Sequence, residues 1–353
     1  MPPLNILPIR IIVFFFLGSI ASALAQTPRP TATPSIVYTA HDPAAINHYR
    51  TDPVLARAMV DRLLLAVTHQ SDVAKAWSSL VAPTDKIGIK ICAAGGELFT
   101  THRDVVNAIV DGLAAAGHPR ASIIVWDREL GGIKDAGYRP TAEGYRLMSI
   151  TPADGYDPKA FFSAPQLGNL IWGDLEYRSE KGMPPLSDTK NTSEVSHFCR
   201  IVSGEVTKII NVPVMSNSER NGLAGCLYNV TIPNVDNWRR FAERGPWGNS
   251  SITEIYRNPL IQKKVVLNLM DGLIAQYAAG PQSEPNYALH YATLMASKDP
   301  VAIDSLALKQ IEEWRANARL PAIGEAAAYV QMAAQLGLGN ADPGRIEVKA
   351  VGR

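Results

Sequence analysis

Apolar positions along the chain fall into two patterns, short continuous runs and longer stretches at helical spacing. Ile87–Cys92, Ser122–Trp126, Ile209–Val214, Lys264–Met270 and Leu294–Ser297 are short runs bounded by polar or Gly-bearing turns, and each predicts a buried strand. Leu55, Met59, Leu63 and Val67 recur at helical spacing behind Asp52-Pro53, an N-cap followed by proline at the first helical position. Thr101–Gly117 is the clearest helix. Thr101 and Asp104 make a capping-box-like start, Val105, Val106, Ile109, Val110 and Leu113 share one face, and Gly117 stops it. Asp299-Pro300 caps a helix running to about Arg315, with Ile303, Ala307, Ile311 and Trp314 inward. A short helix over Ser251–Tyr256, with Ser251 and Glu254 as cap pair, a further one over Glu325–Leu336, and a last edge strand at Ile346–Val351 complete the pattern.

Strand, Gly-rich loop, helix and strand across residues 87–127 form a βαβ unit, which demands parallel pairing. The predicted fold is α/β, a mostly parallel sheet flanked by helices, with an irregular insertion or small second lobe. That insertion spans about 138–200, is rich in Pro, Gly and Tyr, and carries weak strands such as Asn169–Trp172. Thr231–Gly248 reads as polar and aromatic loop. Residues 51–353 are taken as a single domain, preceded by a Pro/Thr-rich spacer and lead-in over 26–50.

Residues 1–25 have the form of a signal peptide: Arg10, an apolar Ile11–Ile20 core and an Ala23-Leu24-Ala25 cleavage signal. The apolar core falls short of the about 20 residues a membrane span needs, so the expectation is export to the periplasm or beyond, with no stable span after cleavage. An uncleaved anchor is the alternative. Cleavage takes the 34 basic side chains to 33, level with the 33 acidic ones. No basic run appears, so nucleic acid is not an expected partner. Of the three cysteines, Cys199 and Cys226 either pair in an oxidising compartment or stay free. No Cys-x-x-Cys is present, so no iron–sulfur cluster is expected.

Parallel strands gather their C-terminal ends at one rim, where α/β proteins bind ligands. The rim would collect Gly95 and Gly96, Asp127, the polar loop Ser216–Asn221, Asp271 and Asp299. Gly95, Gly96, Thr101, Asn211, Ser216, Ser218, Asn221 and Asn229 are the candidate ligand-binding residues. The glycines permit close backbone approach, and amides at the start of the Thr101 helix could hold an anion. Asp127, Asp271 and Asp299 are candidate ligands for a hard divalent cation such as magnesium, manganese or calcium. Simpler readings stand beside these: Gly95-Gly96 as a turn, Asp299 as an N-cap, Asp271-Gly272 as a strand-ending turn, Cys92 as a small buried residue. His102, in the first turn of a helix where a cation is disfavoured, is either a neutral ligand-facing group or a surface residue. No Gly-x-Ser-x-Gly elbow, Walker loop or His-Glu-x-x-His helix is present.

Six segments in order resemble the domain-of-unknown-function 362 family, in its exported branch without a ferredoxin domain. They are Asp85-Lys-Ile-Gly-Ile-Lys-Ile-Cys92, Ser122-Ile-Ile-Val-Trp-Asp127, Ile210-Asn-Val-Pro213, Leu269-Met-Asp-Gly272 followed by Gly280-Pro281, Ala296-Ser-Lys-Asp-Pro-Val-Ala-Ile-Asp304, and Leu336-Gly-Leu-Gly339. The resemblance implies an α/β domain used in exported or iron–sulfur-linked settings, with no settled activity. Relatives carry Lys and His after the Asn-Val-Pro strand and a Lys-Asn pair further on, where this chain has Ser216, Ser218 and Tyr228-Asn229. Two functional classes remain open on the sequence. One is an exported protein holding a small polar or anionic molecule at the rim. The other is a metal-assisted enzyme built on the clustered Asp residues.

Overall fold

A computed structural model describes residues 33–139, 144–151, 155–163, 195–236, 238–241 and 246–352. The signal-peptide and spacer readings up to residue 32, and the strand expected at Asn169–Trp172, lie outside them.

The frame is one large sheet. Its strands are β1 (Ser35–His41), β2 (Ile87–Ile91), β3 (Ile124–Glu129), β4 (Arg146–Thr151), β5 (Lys208–Val212), β6 (Val214–Ser218), β7 (Val265–Gln276), β8 (Thr293–Ser297) and β9 (Ile346–Ala350). Along the sheet the order is β9-β1-β8-β7-β5-β2-β3-β4, with β6 paired in parallel to the far part of β7. Along that order neighbours are parallel, except that β8 runs against both β1 and β7; two further short strands of the sheet, Gly222–Leu223 and Ala288–Leu289, pair antiparallel with β6 and β7. The α/β class and the predominance of parallel pairing are therefore as the sequence predicts.

Helices cover both faces. α1 (Pro53–Thr68), α2 (Val73–Leu80) and α3 (Arg103–Ala115) bury Met59, Leu63, Trp77, Val106 and Ile109 against Ile87, Ile89 and Ile91. α4 (Leu130–Asp135) follows β3 directly. The opposite face packs Trp126, Ile209 and Val206 with α5 (Cys226–Val230), α6 (Pro246–Arg257), α7 (Pro259–Gln262), α8 (Pro300–Asn317) and α9 (Ala328–Gln335). Strands buried on both faces read as continuous apolar runs, which is why β2, β3 and β5 were legible.

Several elements depart from the sequence reading. Ser35–His41, placed in the lead-in, is a strand seated between β8 and β9. Arg146–Thr151, placed in the insertion, is the far edge of the main sheet, while Tyr156–Ser163 pairs with Val195–Cys199 as a separate antiparallel ribbon. The helix expected from Ser251 starts at Pro246, so Ser251 and Glu254 do not cap it. The polar stretch after Pro213 is mostly strand: Val214–Ser218 is fully buried and turns only at Glu219–Asn221. β7 runs straight through Asp271-Gly272 instead of ending there. Among the described residues no helix is long and apolar enough to cross a membrane. Cys199 and Cys226 are both buried and free.

Candidate functional site

Strand register sets a polar line across the middle of the sheet. Lys90 on β2 lies opposite Trp126 of β3 on one side and Asn211 of β5 on the other; Asn211 lies opposite Asn268 of β7, and Asn268 opposite Ser297 of β8. Side-chain alternation sends Ile89 and Ile91 toward α1 and α3, and Lys90 to the other face. There its ammonium is wholly enclosed. Lys90 Nζ donates to Asp127 Oδ1 (2.6 Å), the Ile91 carbonyl (2.6 Å) and Asn229 Oδ1 (3.2 Å). Asn229 Nδ2 donates to Asn211 Oδ1 (2.9 Å), and Asn211 Nδ2 to Asn268 Oδ1 (2.8 Å). Asp127 Oδ2 accepts the Ala93 amide (2.7 Å), so the carboxylate also fixes the loop leaving β2.

Two members of this network, Asp127 and Asn229, line a crevice of about 420 Å³ at the C-terminal ends of β2 and β3, with Lys90 behind them. Cys92, Asp127, Arg128, Tyr228, Asn229 and Trp238 are among its lining residues, with Pro281 and Gln282 closing one side. The Arg128 guanidinium lies 5.0 Å from the Trp238 ring centre and donates to the Val235 carbonyl (3.2 Å). Burial pushes the Cys92 thiol up to about 11, with the Asp127 charge adding to it, so the thiol is protonated at neutral pH and a poor nucleophile. Burial likewise carries the Tyr228 hydroxyl up to about 12.

α5 brings Tyr228 and Asn229 to the crevice, and Asp304 of α8 holds α5 in place. The Asp304 carboxylate accepts the amides of Cys226 (2.5 Å) and Leu227 (3.0 Å). Gly225 is required where this happens, since a Cβ there would sit 2.2 Å from Asp304 Oδ1. Burial raises Asp304 to about 7, against the pull of those two amides.

The other candidates are placed as follows. Gly95 and Gly96 form a tight turn bridged to Phe99, with Gly96 at φ +64°, and neither lines the crevice. The Thr101 hydroxyl is a buried tie, accepting from the Cys92 amide and donating to the Val212 carbonyl. The capping-box reading is corrected, for α3 begins at Arg103 with His102 as its N-cap. Asp271 Oδ2 accepts both the His102 amide (2.8 Å) and its ring Nδ1 (2.9 Å). His102 is thus buried and not a surface residue, and its ring Nε2 has no partner among the described residues. Burial opposes a charge on it, yet the charge and hydrogen bond of Asp271, with Asp104 behind, lift its pKa above the ordinary value. Ser216 and Ser218 are buried; Ser216 bonds the Asn217 carbonyl, and Ser218 accepts the Asn221 amide. Asn221 is buried with its Oδ1 unpartnered.

Asp127, Asp271 and Asp299 do not converge. Asp299 lies at the opposite edge because it follows β8, which runs against β1 and β7; there it caps α8 through the Val301 and Ala302 amides and accepts from Ser35 and Asn340. Asp127 is engaged by Lys90 and Asp271 by His102. Among the described residues no group of three or more His, Cys, Asp or Glu is placed to hold a metal ion. Lys90 and Arg128, central here, were missed; a lone lysine inside Ile-Gly-Ile-Lys-Ile was the available signal.

A family model described as "Domain of unknown function (DUF362)" matches residues 87–309, more than half of the chain and all of this polar line. The chain belongs to the DUF362 family. No curated protein matches the sequence. A crystal structure of a protein from Thermotoga maritima aligns with 82% of this chain and 60% of that one, at 10% identity and a TM-score of 0.40. The chain thus spans less than two thirds of that protein, and a likeness so slight carries no argument. Within the DUF362 match fall Lys90, Asp127, Asn211, Asn229, Asn268 and Asp304, the residues that build the polar network and hold α5.

Proposed function

We propose that this DUF362 protein is an exported binding protein that holds a small polar or anionic molecule in the crevice over Lys90 and Asp127. One observation carries the reading: a lysine–carboxylate pair whose ammonium is fully enclosed and whose carboxylate, together with Asn229, lines an open 420 Å³ space. A buried ion pair is weak as a source of stability, so its place beneath a solvent-reached crevice favours a role in recognition. Arg128 supplies a cation for an anionic group, Asn229 supplies hydrogen bonding, and Tyr228 and Trp238 supply flat apolar surface. Glu129 and Asp135 at the lining disfavour a guest with excess negative charge.

The test is a thermal-shift screen of inorganic phosphate, small mono- and dicarboxylates and neutral polyols, since a ligand that binds only the folded state raises its melting point. At least one probe should stabilise the wild type, and Arg128→Gln or Asn229→Ala should remove the shift. A screen without a stabilising probe, or a shift that survives both substitutions, ends the reading.

A further inference from the structure

A second and larger cavity, about 1020 Å³, lies on the other side of the Gly280-Pro281 turn. Its polar wall is the end of β6, the turn after it and the last helical turn of α8; its apolar wall is Leu320, Pro321, Ile323 and Met332. Arg315 is buried on the polar wall, its Nε donating to the Pro321 carbonyl (2.9 Å) and its Nη1 to the Tyr277 carbonyl (3.0 Å). Glu219 Oε1 stands 3.7 Å from Nη1 and is itself fixed by Asn217 Nδ2 (2.8 Å) and the Ala279 amide (3.0 Å). Gly280 allows this fit, because a Cβ there would sit 2.2 Å from the Asn217 carbonyl. Arg315 Nη2 and Glu219 Oε2 carry no hydrogen bond to any described residue, and neither is a buried unsatisfied atom.

The cavity therefore presents one held guanidinium with spare donors, one held carboxylate with a spare acceptor, and an apolar wall facing them. A second carboxylate, Glu325, also lines it. An anion alone would meet Glu219 beside Arg315, and a cation alone would meet Arg315 beside Glu219. A guest carrying both charges satisfies both groups. The volume is at the upper end for small-molecule sites, more than a single amino acid fills. We propose that this cavity binds short peptides with free termini and apolar side chains, the terminal carboxylate on Arg315 and the terminal ammonium toward Glu219. Apolar side chains then lie along Leu320, Ile323 and Met332. This site is separate from the Lys90 crevice and does not depend on it.

Isothermal titration of the intact protein with Leu-Leu, with its N-acetyl and amide derivatives, and with the doubly blocked peptide tests the proposal. Leu-Leu should bind saturably, and blocking either terminus should weaken it at least about tenfold. Arg315→Lys should weaken Leu-Leu by a similar factor. Because Arg315 also holds two carbonyls, Glu219→Gln is the second variant. It keeps an acceptor for Asn217 and Ala279, and should weaken Leu-Leu while N-acetyl-Leu-Leu, relieved of a like charge beside Arg315, binds no more weakly than to the wild type. Equal binding of the doubly blocked peptide overturns the proposal, as does absence of saturable heat at millimolar peptide. So does binding lost in Asn229→Ala but intact in Glu219→Gln, which would place the peptide in the first crevice.

Discussion

Two buried acid–base pairs occupy opposite faces of the sheet, and they differ in what lies beyond them. His102–Asp271 sits on the α3 face, where Asp271 is fully enclosed and takes three hydrogen bonds, from the His102 amide, the His102 ring and the Leu273 amide. Lys90–Asp127 sits on the α5 face, where the lysine is 0% exposed but the carboxylate is 11% exposed and borders the crevice. The first pair joins a helix start to the longest described strand, its imidazole 8% exposed and its Nε2 without a partner among the described residues. The second lines the crevice with one member and extends its hydrogen bonds into three asparagines. The same chemistry fastens a helix start on one face and borders a crevice on the other, and the space beyond the pair, not the exposure of its members, separates them.

That contrast breaks most readily at the His102–Asp271 pair. Asp271→Ala should destabilise the fold by about 3–5 kcal/mol, the cost of leaving a buried partner uncompensated, read from the denaturant midpoint. Lys90→Met should cost less, about 1–3 kcal/mol, because Asp127 keeps the Ala93 amide and can rehydrate from the crevice. Equal losses in the two variants would mean that the crevice does not admit water to Asp127, and the contrast would fail.

A pH series sharpens the comparison by adding a third buried carboxylate, one served by amides and no cation. Asp304 is raised from 3.8 to about 7 in the folded state, so between those values the native protein holds a proton the unfolded chain has released. Its contribution to stability is therefore full below about pH 4 and is lost as pH rises to about 7. The His102 pKa is raised above 6.5. Its contribution is full below that value and is lost as pH climbs through the folded pKa. Urea midpoints measured from about pH 4 to 9 should show the lower limb flattened in Asp304→Asn and the upper limb flattened in His102→Gln. Slopes identical to wild type in both variants would remove these groups as its source. The smallest effect is expected at the crevice mouth. Trp238→Leu, which removes the ring beneath Arg128, should cost about 0.5–1 kcal/mol, best measured by a double-mutant cycle with Arg128→Gln.

How much of this was legible in the sequence depends on direction and enclosure. β2, β3 and β5 were readable because strands covered on both faces are apolar without interruption. Asp127 was expected at the rim where parallel strands end, and it lines the crevice at the end of β3. Asp299 was not, for nothing in Leu294–Ser297 reveals that its strand runs backward. Asp271 was taken for a strand end because Asp-Gly is turn chemistry, yet β6 and β8 on either side keep β7 extended through it. Lys90 was overlooked because a strand lysine reads first as a solvent-facing residue, and its enclosure depends on Asn229, which is 139 residues away in the chain.

The position of β1 has a consequence for how the polypeptide is made. It lies between β8 and β9, and its Ser35 bonds to Asp299, 264 residues further on. A ribosome adding about 5–20 residues per second needs tens of seconds to supply that partner. Through this interval the nascent strand has no place in the sheet, so chains truncated ahead of β8 should be trapped by chaperones or clumped instead of merely less stable.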